Sequence, residues 1–157
     1  MDRRNPDTYT IEQKFEDINE IEISDEGLIQ MLELIGDYDK DYFCILFATF
    51  KMLNKFSELT ETNGYSDCIL TANNERFGIH HLNLSVAIDR GESGLYINYS
   101  DIKKIRIRKF LIWHTIKVKV VDGQKFKLLI SSKVIRTKKQ EENLNKLISY
   151  IKEKFKK

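Results

Sequence analysis

Between Ile102 and Ile130 the apolar residues fall on alternating positions in three successive runs: Ile102, Ile105 and Ile107, then Ile116, Val118 and Val120, then Phe126, Leu128 and Ile130. A period of two puts successive side chains on opposite faces of a strand, so each run is a strand with one face in a core. Asp122-Gly123 between the second and third runs is a two-residue hairpin signal. Beyond them Thr137-Lys-Lys-Gln140 has the form of a capping box, and Leu144, Leu147, Ile148, Ile151 and Phe155 lie on one face of a helix of about 18 residues. This end of the chain is committed to strand, hairpin, strand and helix, and the rest must supply the walls of the same core.

The preceding residues read as further strands. Tyr42 to Phe50 is aromatic and β-branched, and Cys68–Thr71 and Arg76–Leu82 flank a turn at Asn73-Asn74. Glu58 to Asp67 is polar around Asn63-Gly64, and Arg90–Gly94 forms another turn. Residues 8–36 read as two short helices. Thr10–Gln13 forms one capping box, Ser24 offers a second N-cap, Leu28, Ile29, Leu32 and Ile35 fall at helical spacing, and Gly36 is a stop. A short strand over Ile18–Ile23 is the alternative for that stretch. With one proline and no Gly/Ser-rich linker, the 157 residues are read as an α+β, mainly β chain. Residues 1–41 form an N-terminal helical extension and 42–157 a β-barrel domain closed by its helix.

Leu70-Thr71, Glu75-Arg76-Phe77, Tyr99-Ser-Asp-Ile102 with Ile105, the Asp122-Gly123 hairpin and the terminal helix together resemble the bacterial pleckstrin-homology-like (PH-like) domains. The resemblance spans about residues 42–157, with Asn73-Asn74 lengthening one turn beyond the family's usual spacing. It implies a strongly bent seven-stranded sheet plugged at one end by the helix. It also implies an adaptor or scaffold role, often with self-association. The basic first-hairpin motif of the lipid-binding eukaryotic relatives is not matched, since residues 42–71 contain only Lys51 and Lys55 as cations.

The net charge of +2 conceals a segregation: residues 1–100 carry 8 Lys/Arg against 19 Asp/Glu, and residues 101–157 carry 18 against 5. Partners feel the local field more than the sum. If the apolar alternation points inward, Arg106, Arg108, Lys117, Lys119, Lys125 and Lys127 point outward from three neighbouring strands as one basic face. Such a face suits an anionic lipid surface, nucleic acid phosphates or an acidic protein patch; it also suits simple solvation, or cover by the acidic first portion of the chain. Between the first two of these strands Phe110-Leu111-Ile112-Trp113 must turn without Gly, Pro or Asn, flanked by Lys109 and His114. Exposed, these four residues fit a membrane interface or a protein-interface hot spot. The remaining possibility is that a long bent strand carries them into the core or under the N-terminal helices.

Catalytic and metal chemistry find little support. His80 and His81 are adjacent and so point to opposite faces of a strand, and His114 stands alone. Asp37-Tyr-Asp-Lys-Asp41 imitates a calcium loop but has Tyr42 and Ala48 where Gly and Glu are required, so it reads as an acidic loop. Gly91-Glu-Ser-Gly94 is no nucleophile elbow, and no phosphate-binding Gly-Lys-Ser/Thr loop occurs. Cys44 and Cys68, 24 apart without a CxxC, read as buried thiols of a reducing cytoplasm. No secretory leader follows Arg3-Arg4, and no apolar run reaches the roughly 18 residues of a membrane span. The expectation is a cytoplasmic, non-enzymatic binding module without cofactor or metal. It is expected to act by protein association, including self-association, with Phe110–Trp113 and the basic face as contact surfaces; the alternative is an anionic membrane surface or nucleic acid bound through the basic face. An inhibitor or immunity-type protein, whose acidic half covers a basic partner, is a further alternative.

Overall fold

The computed structural model describes residues 11–53, 66–82 and 94–156. Two helices, α1 (Ile11–Asn19) and α2 (Asp25–Leu34), precede β1 (Cys44–Met52), β2 (Ser66–Ala72), β3 (Arg76–His81) and β4 (Gly94–Asn98). A 3₁₀ turn at Tyr99–Asp101 leads into β5 (Ile102–Phe110), β6 (Trp113–Val120) and β7 (Lys125–Ser131), followed by α3 (Gln140–Lys154). The strands pair antiparallel in one sheet of order β4-β3-β2-β1-β7-β6-β5, curled into a half-barrel around α3.

The alternation read in the sequence builds the concave face. Leu46, Ala48 and Phe50 of β1, Leu70 of β2, Phe77 and Ile79 of β3, Ile116 and Val118 of β6, and Phe126, Leu128 and Ile130 of β7 are buried there with Leu144, Leu147 and Ile151 of α3. Each of these side chains other than Ala48 contributes roughly 1.5–3 kcal/mol by leaving water. Ile102 pairs with Val120 and Lys104 with Lys119, so Lys103 is the extra residue of a bulge; this is how Ile102 faces inward with Ile105 and Ile107 despite the odd spacing. The Asp122-Gly123 hairpin holds three loop residues rather than two. Val120 N–H donates to Gln124 C=O at 2.8 Å, and Gly123 N–H donates to Val120 C=O at 2.9 Å with φ +100 at the glycine. This is a type I turn closed by a left-handed residue.

The capping box expected over Thr137–Gln140 does not form. Lys139 caps α3 without a side-chain bond, and the Thr137 hydroxyl donates to Val134 C=O. Gln140, 1% exposed, serves the sheet instead: its Nε2 donates to Phe47 C=O (2.8 Å) and Ser131 C=O (3.0 Å), while Phe47 N–H donates to its Oε1 (3.1 Å). β1 pairs with β7 only over Thr49–Met52, so the main-chain groups of Phe47 open into the interior without a strand partner. A buried group left so costs about 1–3 kcal/mol, and the amide of Gln140 satisfies three of them.

A second, smaller core lies on the convex side of β1 and β2. Ile18 of α1 and Leu28, Met31 and Leu32 of α2 pack there with Ile35, Ile69, Ile45 and Phe47. Ser24 caps α2, its Oγ accepting from Gly27 N–H at 2.9 Å as expected. At the other end Gly36 (φ +80) donates its N–H to Glu33 C=O and Asp37 donates to Leu32 C=O. This left-handed cap, open to glycine, delivers the Asp37 side chain to the sheet.

Candidate docking site at the β5–β6 hairpin

Phe110 pairs with Trp113, so β5 and β6 are joined by a two-residue turn, Leu111-Ile112. Tight hairpins need positive φ in the turn and select glycine, asparagine or aspartate for it. Here Leu111 takes φ +57, a conformation costing an L-residue about 1–2 kcal/mol. The turn is held at its base by Ser132 N–H, which donates to Ile112 C=O at 2.8 Å. Phe110 and Leu111 are 74% and 73% exposed, and Ile112 and Trp113 42% and 43%. The N-terminal helices do not reach them, because α1 and α2 lie over β1 and β2.

Register places the cations. Phe110 shares a face of β5 with Arg108, Arg106 and Lys104; Trp113 shares the corresponding face of β6 with Lys117 and Lys119. Across the sheet Arg106 stands opposite Lys117, Lys117 opposite Lys127, and Lys127 opposite Lys51, a row of four cations on adjacent strands. Lys104, Lys119 and Lys125 form the next row. Neighbouring strands are about 4.8 Å apart, and like charges directly opposite repel. Among the described residues no carboxylate forms an ion pair with Arg106, Arg108, Lys117 or Lys119. The convex surface is thus divided: its β1–β2 half lies under α1 and α2, and its β5–β7 half is basic, ending in two aromatic rings.

Lys109 and His114 pair on the opposite side of the hairpin stem, Lys109 exposed and His114 buried. Burial, then the Lys109 charge, lowers the His114 pKa below its ordinary value. Lys104 and Lys51 complete the two rows although sequence reasoning missed them. Period two reaches Lys104 once Ile105 is taken as inward, whereas Lys51 joins only through the pairing of β1 with β7.

Among the described residues the other histidines and the cysteines are buried. His80 Nδ1 donates to Asp37 Oδ2 at 3.0 Å, and its Nε2 accepts from the Thr71 hydroxyl at 2.9 Å. The order hydroxyl, imidazole, carboxylate is that of a nucleophilic relay. Thr71 and His80 are nevertheless both 0% exposed, and Gly78 seats the pair so closely that a Cβ there would lie 2.4 Å from Thr71 Oγ1. The relay fastens the end of α2 to β2 and β3. Asp39 of the acidic loop accepts from Asp41 N–H at 2.9 Å, and His81, on the other face of β3, stacks edge-on against Phe50. Among the described residues no cluster of three or more His, Cys, Asp or Glu could hold a metal, and no helix is long and apolar enough to cross a membrane. Burial pushes the Cys44 thiol up to about 12, and raises Cys68 as well.

No family model matches the chain, and no curated protein matches it. Among solved structures it is similar to the C-terminal domain of an unknown protein from Leishmania infantum, at 13% identity and a TM-score of 0.44, over 69% of this chain and 82% of that one.

Proposed function

We propose that the protein is a non-enzymatic, PH-like docking module of the cell interior whose β5–β6 hairpin engages an anionic membrane surface. The observation carrying this reading is the exposed Phe110–Trp113 tip continuing into a cationic face. Apolar rings at the end of a basic stem match a bilayer, in which hydrocarbon lies beneath a layer of negative headgroups. The strand order and closing helix agree with the PH-like arrangement. Protein association through the same tip is the second reading, favoured by four large apolar side chains in water. A symmetric contact through the tip would set one basic face near its copy and incur repulsion, which weighs toward the anionic surface.

Sedimentation with vesicles separates the two. The protein is expected to bind phosphatidylcholine vesicles containing phosphatidylserine, to bind pure phosphatidylcholine far less, and to dissociate as salt rises. Arg106→Glu with Lys117→Glu abolishes binding in this reading. Light scattering that shows a concentration-dependent oligomer, lost in Trp113→Ala with Ile112→Ser, together with no vesicle binding, would establish protein association instead.

A further inference from the structure

We infer that the β7–α3 connection, residues 132–139, is a second membrane-contact element that enters the same bilayer beside the hairpin, with Ile135 as its apolar anchor. The inference rests on the anionic-membrane reading of the hairpin and names a part of the surface that lies outside it.

Position is the first argument. Trp113 pairs with Ser131, and Ser132 N–H donates to Ile112 C=O, so the connection departs from the base of the hairpin tip. Exposure is the second. Ile135 is 84% exposed, more than Phe110 or any other large apolar side chain among the described residues. It does not dangle there, because short bonds fix the chain on both sides of it. Ser131 Oγ donates to Lys133 C=O (2.8 Å), Thr137 Oγ1 donates to Val134 C=O (2.7 Å), and Gln140 is anchored in the core. Backbone conformation is the third. Leu111 and Arg136 (φ +68) are the non-glycine residues with positive φ among those described, one in each of these two loops. Two turns held in unfavourable backbone conformations, each presenting an aliphatic side chain to water, are arranged for contact more than for stability.

Charge identifies the occupant. From Gly123 to Gln140 the chain contains no acidic residue, and Lys133, Arg136, Lys138 and Lys139 surround Ile135 in sequence. Lys133 pairs with Glu141 and Arg136 with Glu22, but these side chains are half or more exposed. Exposed pairs of this kind bind weakly and can exchange a carboxylate for a lipid phosphate. An isoleucine among cations therefore repeats at this loop the pattern of the hairpin tip.

Trp113 is the single tryptophan and reports on the hairpin, whereas a fluorophore at position 135 reports on the loop. Cys44 and Cys68 are buried, so an environment-sensitive dye reacts with Ile135→Cys in the folded full chain. On adding vesicles of phosphatidylcholine with phosphatidylserine, Trp113 emission is expected to shift to the blue and the dye at 135 to brighten together. The unlabelled Ile135→Ser protein should keep the Trp113 shift but require about ten times more lipid for half-saturation, the effect of withholding one isoleucine from the interface. A Trp113 shift with an unresponsive dye, or an unchanged half-saturation in Ile135→Ser, overturns the inference and leaves the hairpin reading intact. No response from either probe, with the circular dichroism of the folded protein retained, overturns both. A dye response that grows with protein concentration in the absence of lipid assigns the loop to a second copy and overturns the inference.

Discussion

Asp37, Thr71 and His80 meet from three segments and bury a hydrogen-bonded line that leaves no ring nitrogen of His80 without a partner. Removing one end strands the other in a dry site at about 1–3 kcal/mol. Thr71→Val, which preserves shape, is expected to lower the melting temperature by several degrees in calorimetry, and Asp37→Ala to do at least as much. The buried thiols give a second expectation. Cys44 keeps its proton in the folded state up to a pKa of about 12, whereas the unfolded thiol releases it near 9. Between those values the unfolded chain binds fewer protons, so stability falls as pH rises, by about 1.4 kcal/mol per unit for each such thiol, and Cys68 acts in the same direction. Urea unfolding at pH 8 and pH 10 should show the decline, and Cys44→Ala should reduce it. Neither result was legible from the neighbours of these residues. His80 and His81 read as ordinary strand histidines because Asp37 lies 43 positions away from its partner.

Among the elements, those encoded locally were the ones the sequence announced. The inward sets of β6 and β7, the face of α3 and the Ser24 cap all follow from spacings of two to four residues. Gln140 had the local signature of a capping residue and a different fate, because the gap it fills is made by Phe47, 93 positions away. Gln140→Ala is expected to cost about 2–4 kcal/mol in chemical denaturation, more than removal of a helix cap, since it orphans main-chain groups of two strands. The hairpin tip behaves in the opposite way. Its four apolar residues were identifiable as a connection in need of cover, and the structure leaves them in water. Leu111→Gly relieves the positive φ and should raise stability by about 1 kcal/mol, visible as a higher melting temperature, while weakening vesicle binding. A loss of stability would place Leu111 in the core.

At the scale of the whole molecule the acidic and basic halves of the chain are laid out on one sheet. α1 and α2 occupy the convex side of β1 and β2, and this helical segment touches the basic half where Glu22 meets Arg136 and Asp25 accepts from Lys139 N–H. Arg106 and Lys117, directly opposite one another on neighbouring strands, repel at some cost in stability. Arg106→Glu with Lys117→Glu, the pair expected to abolish vesicle binding, should unfold at the same temperature as the parent or higher, because it exchanges one like-charge pair for another at 106 and 117 and sets an opposite charge against Lys127. Sequence gave notice of the segregation and of most of that face; the division of the convex surface depended on strand order, which no local pattern encodes. β5 forms one border of this half-barrel, pairing only with β6 among the described residues. An open border of nine residues is a template on which further chains can add and grow into fibrils. Five of its nine residues are Lys or Arg, and the bulge at Lys103 breaks its register. A strand approaching from another molecule meets charge and a misaligned ladder, so the same side chains that would hold a negative surface also keep an unclosed sheet from aggregating.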